Sequence, residues 1–308
     1  MIVEAQGLRK TYGSVVAVND LSFTVSPGHI TGFLGPNGSG KSTTMRLMLG
    51  LDHGAGTTLF DGRTLAQHRP VSTVVGSHLD AKFFHPRRTA RAHLRMMGSE
   101  AGISKARINE VISLVGLQAV ADKRPGGFSL GMGQRLGLAT ALLASPRVLL
   151  LDEPANGLDP QSIQWLRDFL THYAQQGNSV LVSSHLLSEM ELMADHLIVI
   201  AQGRLIADES MQSFVSRSTK NDVLVRSSDP VALRQALARY SLAATPEGAD
   251  GLAVTGAATD RIGDIAFEAG VAVRELVFRQ ASLEDAFLET TRGSADFATG
   301  NETPGGAA

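Results

Sequence analysis

The chain has no cysteine. That excludes disulfides and any thiolate-held zinc or iron–sulfur centre, and it fits a reducing compartment. There is no excess of charge of either sign: 28 Lys and Arg stand against 30 Asp and Glu, a net charge of −2. A global basic signature for nucleic acid is thereby excluded, though a local basic patch is not. No apolar run approaches the ~18 residues that a membrane-spanning helix needs. If the protein acts at a membrane, another chain does the crossing. Met1-Ile-Val-Glu4 shows no basic region followed by an apolar run, so no secretory signal is expected. What is there is a chain of 308 residues, 43% hydrophobic, enough for one large or two modest domains with a real core.

The most informative stretch is Gly35-Pro36-Asn37-Gly38-Ser39-Gly40-Lys41-Ser42-Thr43, which fits the phosphate-binding pattern G-x-x-x-x-G-K-[ST]. Ile30 to Leu34 before it reads as a short buried strand, and Thr44 to Leu49 after it as a helix. Glycines at 35, 38 and 40 let the backbone turn its N–H groups inward, and the helix aims its positive end at the same point. Lys41 can reach terminal phosphates, and the Ser42 hydroxyl can ligate Mg2+. The bland alternative is a chance glycine-rich turn before a helix.

Upstream, Ile2–Gln6, Val15–Val18 and Leu21–Val25 read as strands. Tyr12 falls in a turn between two of them and by itself reads as a half-buried surface aromatic. Thr57–Phe60 is a strand ending in an Asp61-Gly62 turn, and Thr73–Val75 a further candidate strand. From Thr89 to about Ala144 the pattern is helical. Ser129 stands where a helix N-cap belongs, and capping alone would explain it. Val148–Leu151 is a fully apolar run, the pattern of a parallel strand covered on both faces. Asp152-Glu153 follows at its carboxyl end, where open parallel sheets bind ligands and where an acidic pair is costly without compensation. Ser179–Val182 and Leu197–Ile200 are two more such strands. His185, just past the first, reads by itself as a satisfied histidine at a strand end. A polar linker, Ser216–Asn221, precedes strands at 223–225, 252–254 and 271–277 and helices at 230–239, 261–268 and 282–289, a small α/β module. Beyond Arg292 the composition is that of a disordered tail.

Taken together, these motifs resemble the ATP-binding subunit of an ABC transporter over roughly residues 2 to 210. Gly35–Ser42 is similar to Walker A, and Leu149–Glu153 to Walker B with its following glutamate. Ser129-Leu-Gly131-Met132-Gly-Gln134-Arg135 resembles the family signature, Gly157-Leu158-Asp159-Pro160 the D-loop, and His185 the switch histidine. Among such subunits the chain looks most like drug and antibiotic exporters with separate membrane chains.

The resemblance implies an α/β fold: a P-loop (RecA-like) core with an antiparallel β subdomain and a helical subdomain at about 87–145. The nucleotide-binding domain would span 1–215, the C-terminal α/β module 216–291 and the disordered tail 292–308. It implies ATP and Mg2+. Tyr12 and residues Gly35, Pro36, Asn37, Gly38, Ser39, Gly40, Lys41, Ser42 and Thr43 would bind ATP, with Ser129 and Gly131 acting in trans. Ser42 and Asp152 would hold the metal, and Glu153, His185 and Lys41 would be catalytic. The expected partners are a second copy of the chain, or a paralogous ATPase subunit, arranged head to tail, and an integral membrane permease that holds it on the cytoplasmic face. No nucleic-acid partner is expected. The competing reading is a non-transport ATPase of the same family acting on nucleic acid or ribosomes, or on a membrane sensor complex.

Two departures from the family pattern stand out. Met132 replaces the usual signature glutamine. Asp80 stands where a glutamine is expected, as a further candidate metal ligand or as a structural residue. Asp80 to Leu94 would face the membrane partner, although Arg87, Arg88, Arg91 and His85 read equally well as a solvated basic face.

Overall fold

The structure, a computed structural model, describes residues 1–80, 84–218 and 221–295. It divides into two compact units, Met1–Ser210 and a second beginning at Met211.

The first unit opens with β1 (Val3–Tyr12) and β2 (Val15–Val25), paired antiparallel. The sequence pattern suggests three separate strands here. Two long ones form because polar residues stay in the ladder through register shifts after Ala5, Leu8 and Lys10. Then come β3 (Ile30–Leu34), α1 (Lys41–Met48), β4 (Ala55–Phe60) and β5 (Arg63–Thr64). The antiparallel sheet has the order β2-β1-β4-β5. β6 (Val75–His78) starts where the expected 73–75 strand ends, after a short turn of 3-10 helix at Val71–Thr73.

Helices α2 (Ala90–Ser99), α3 (Lys105–Leu114) and α4 (Leu130–Leu142) fill the region expected to be helical. Each starts at a hydroxyl cap: Thr89, Ser104 and Ser129 accept the N–H of Ala92, Arg107 and Met132. Such caps contribute about 1 kcal/mol each.

The unit ends with β7 (Val148–Asp152), α5 (Pro160–Gln175), β8 (Ser179–Ser183), α6 (Leu187–Met193), β9 (His196–Ala201) and β10 (Arg204–Ser210). The main sheet has the order β10-β9-β3-β8-β7-β6 and is parallel except for the β9–β10 hairpin. β3, β7 and β8 therefore lie inside the sheet, and Val148, Leu149, Leu150 and Leu151 are fully buried. One core joins both sheets, with Phe23 of β2 against Phe33 of β3 at 5.6 Å between rings. This places the carboxyl ends of β3, β7 and β8 side by side.

The second unit runs α7 (Met211–Ser216), β11 (Asp222–Ser227), α8 (Pro230–Arg239), β12 (Ala243–Glu247), β13 (Gly251–Thr255), α9 (Thr259–Glu268), β14 (Val273–Arg279) and α10 (Leu283–Ala295). The division falls at 210/211 rather than 215/216, because Phe214 and Val215 are buried and α7 packs on α10. Strand β12 is not expected from the sequence. Thr245 is its one β-branched residue, and it carries Pro246, which an edge strand tolerates. The strands pair antiparallel in the order β12-β13-β11-β14, so the β-α-β-β-α-β sequence is a split βαβ module. Its own core joins Val223, Val225, Leu252 and Val254 to Leu233, Leu237, Ile262 and Ile265. Residues 292–295 continue α10, and the rest of the expected disordered tail lies outside the described residues.

Candidate nucleotide site

Leu34 ends β3 inside the sheet, and the loop that follows has to double back into α1. Gly35 and Gly40 are required there by contact. A Cβ on Gly35 would sit 2.3 Å from the Ile200 carbonyl oxygen, and one on Gly40, at φ +105°, 2.3 Å from that of Ala17. The loop closes with the Ser39 N–H on the Pro36 carbonyl at 3.1 Å. α1 has no side-chain cap, so its first N–H groups face the loop mouth.

Lys41 is 8% exposed and its Nζ donates to the Gly35 carbonyl at 2.6 Å. Burial pulls its amine below the ordinary lysine range, and the nearby Glu153 and Asp152 partly restore it. A cavity of about 240 Å³ joins Asn37, Gly38, Gly40, Lys41, Ser42 and Thr43 to Asp152 and Glu153, with Ala17 of β2 on its rim. Ser42 and Asp152 both line this space, and their side chains offer only oxygen as a ligand atom, the chemistry that suits Mg2+. The Ser39 hydroxyl, in the same loop, is buried and has no hydrogen-bond partner among the described residues. A compact cradle with one buried cation, open helical N–H groups and hard oxygen donors fits a phosphate chain with its metal.

Ser183 at the end of β8 ties the acidic pair together. Its hydroxyl contacts Asp152 Oδ1 and accepts the Glu153 N–H at 3.0 Å. Glu153 holds a left-handed backbone, φ +50°, which costs a residue with a Cβ about 1–2 kcal/mol. Its carboxylate meets His185, Nδ1 to Oε2, at 2.6 Å. Of the expected residues, Lys41, Ser42, Asp152, Glu153 and His185 are thus brought together.

Others are not. Ser129 and Gly131 line a separate cavity of about 350 Å³ with Gly157, Leu158 and Asp159, and it shares no residue with the first. Tyr12 is the last residue of β1, not a turn residue. Its hydroxyl donates to Asp52 at 2.9 Å, Lys10 lies 4.8 Å from its ring centre, and it does not line the Lys41 cavity. The bond to Asp52 holds the phenol above its ordinary pKa. Asp80 is exposed just beyond β6 and also lies outside that cavity. Part of the expected partner-facing segment, Ala81–Phe83, is outside the described residues. Of its arginines, Arg91 pairs with Asp122 at 2.8 Å rather than standing free. The role of Ser183 was missed: one of two adjacent serines at a strand end gives no hint that it binds both members of the pair thirty residues away in sequence.

Fold and site define a nucleotide-binding protein of the phosphate-loop class. Comparison narrows it: residues 18–156 match the family model described as ABC transporter, and residues 221–284 match a domain of unknown function. An uncharacterized ABC transporter ATP-binding protein, YhcH of Bacillus subtilis (strain 168), is 34% identical over 298 residues, covering 94% of this chain and 96% of that protein. The bacitracin transport ATP-binding protein BcrA of Bacillus licheniformis is 39% identical over 223 residues, 71% of this chain and 73% of that one. A solved ATP-binding subunit of an ABC transporter superposes with TM-score 0.64 at 25% identity, over 70% of this chain and 93% of the other. The chain belongs to the ABC transporter ATP-binding family and is an ATPase of that type.

Proposed function

We propose that the protein is the ATP-hydrolysing subunit of a membrane exporter and works as a head-to-tail pair. The observation that carries this reading is the separation of the two cavities. The Lys41 cavity has a phosphate cradle and an acidic pair, but Ser129 and the N-terminus of α4 open elsewhere. A second copy, or a paralogous subunit, would set its own Ser129 and Gly131 against the phosphates held here.

Lys41 and the loop amides grip the β and γ phosphates, the lysine exchanging the Gly35 and Pro36 carbonyls for phosphate oxygens. Ser42 and Asp152 would hold Mg2+, which supplies charge neutralisation at the phosphates. His185 occupies Oε2 of Glu153. The other oxygen, Oε1, is then the one that orients the attacking water and takes its proton. Tyr12 offers an aromatic face for adenine. Closure of the pair on ATP and its opening after hydrolysis would drive a permease on another chain.

Among the described residues no helix is long and apolar enough to cross a membrane, so attachment to the inner face would be through that permease. Similarity to a bacitracin transport subunit supports drugs, antibiotics or other small hydrophobic compounds as cargo. The test is Glu153→Gln. The variant should bind ATP, lose turnover and run as an ATP-dependent dimer in size exclusion. Turnover at the wild-type rate would remove Glu153 as the base, and a monomer under ATP would remove the paired site.

A further inference from the structure

A buried imidazole calls for an explanation, since an apolar side chain would fill the same space without a polar group to satisfy. His78, the last residue of β6, is 3% exposed. Its Nε2 faces Oε1 of Gln134 on α4. Gln134 is itself 6% exposed, and its Nε2 donates to the backbone carbonyl of Glu153 at 3.2 Å. The chemistry of this chain runs in one direction only. A carbonyl can only accept, so Gln134 must turn its NH2 to Glu153. Its oxygen then faces His78, whose Nε2 must carry the proton.

The packing is specific to the ring. α4 lies against β6, and Gly137, one turn beyond Gln134 on the same face, leaves the room: a Cβ there would stand 2.1 Å from His78 Cε1. Downstream, the Glu153 backbone is held in its left-handed conformation by side chains at both ends of the residue. Ser183 takes its N–H, while Gln134 and the Asn156 N–H share its carbonyl.

We infer that His78 is a positioning residue for hydrolysis, holding the Glu153 backbone in place through Gln134. The inference rests on the reading of Glu153 as the base. The relay also joins two parts of the site, because α4, which carries Gln134, starts at Ser129. Occupation of the helix N-terminus and placement of the chain's own Glu153 share one rigid element.

The experiment compares ATP turnover of the full-length protein with variants. His78→Leu keeps volume and removes the donor. It should lower kcat by about 10-fold or more, the scale expected of a small misplacement of a reacting group, while KM for ATP stays within about 3-fold. His78→Gln, whose amide can present an N–H near the position of Nε2, should recover most of the loss. Gln134→Leu should match His78→Leu, and the double variant should be no slower than either single one, as members of one chain of contacts behave. Unchanged kcat in His78→Leu overturns the inference. So does a loss that His78→Gln fails to recover, or additive losses in the double variant. If His78→Leu unfolds, the recovery by His78→Gln and the effect of Gln134→Leu decide by the same criteria. Glu153→Gln is assayed alongside. Continued turnover there defeats the base assignment itself, whereas a dead Glu153→Gln beside a normal His78→Leu defeats only the relay.

Discussion

His185 Nδ1 stands 2.6 Å from Glu153 Oε2, and the His185 N–H reaches the same oxygen at 3.3 Å. A carboxylate only accepts, so Nδ1 is the protonated nitrogen of this contact. A neutral ring then has no hydrogen on Nε2 to offer a phosphate. To donate to a γ-phosphate, the ring must gain a proton or let go of Glu153. His185 is therefore built to exchange one partner for another. His185→Ala should lower turnover by about 100-fold, with ATP affinity changed only a few-fold. Its side chain is 47% exposed, so the thermal midpoint should hold. A parallel fall in affinity, measured by nucleotide titration, would place the histidine in binding instead.

Gly137→Ala tests the room left for His78. In an ordinary helix this change stabilises by up to ~1 kcal/mol. Here the new methyl would lie 2.1 Å from His78 Cε1. We expect a loss of about 1–3 kcal/mol in denaturant unfolding, the usual cost of overpacking. A gain in stability would mean the imidazole can step aside.

In the second unit, Arg279 bonds both Asp222 and Glu247 at 2.7 Å. The bond to Arg279 holds the Glu247 carboxyl below the ordinary glutamate value. A lowered folded-state pKa means stability that is present above the unfolded value, roughly 4, and lost as pH falls through the folded one. Arg279→Met should cost stability near neutral pH and little in acid, so its melting curves should converge with the wild type below about pH 4. An equal deficit at all pH values would assign the loss to packing. The pair is only partly buried, so salt should shrink the effect.

Asp80→Gln restores the amide that the family pattern leads one to expect. The change should alter turnover coupled to a membrane partner more than ATP affinity, which a transport assay and a nucleotide titration would separate. No change in either would make Asp80 a structural residue.

What could be read in advance was what is local in sequence. The loop from Gly35 to Thr43 declares itself because close backbone contacts demand glycine at fixed places next to Lys41. Asp152-Glu153 declares itself because an apolar run ends in two acids. Ser129 was legible as a cap, and proved to be one. Contacts closed by the fold were not legible. Nothing near Tyr12 announces Asp52, and nothing near His78 announces Gln134, because the pairing depends on where β6 falls beside α4. β12 was invisible because an edge strand needs little apolar patterning, and the unit boundary was misplaced because α7 is too short to show a period.

The strand order has a consequence in time. β3 lies between β8 and β9, yet β8 begins on the order of 150 residues after β3 ends. At ~5–20 residues per second, the ribosome leaves β3 without its sheet neighbours for roughly 7–30 s. Nascent chains halted before Ser179 should be cut readily around Ile30–Leu34, and chains extended past Ala201 and clear of the exit tunnel should resist. During synthesis the loop that grips phosphate is made early and held in shape late, and until then its apolar strand is open to chaperones and to other copies of itself.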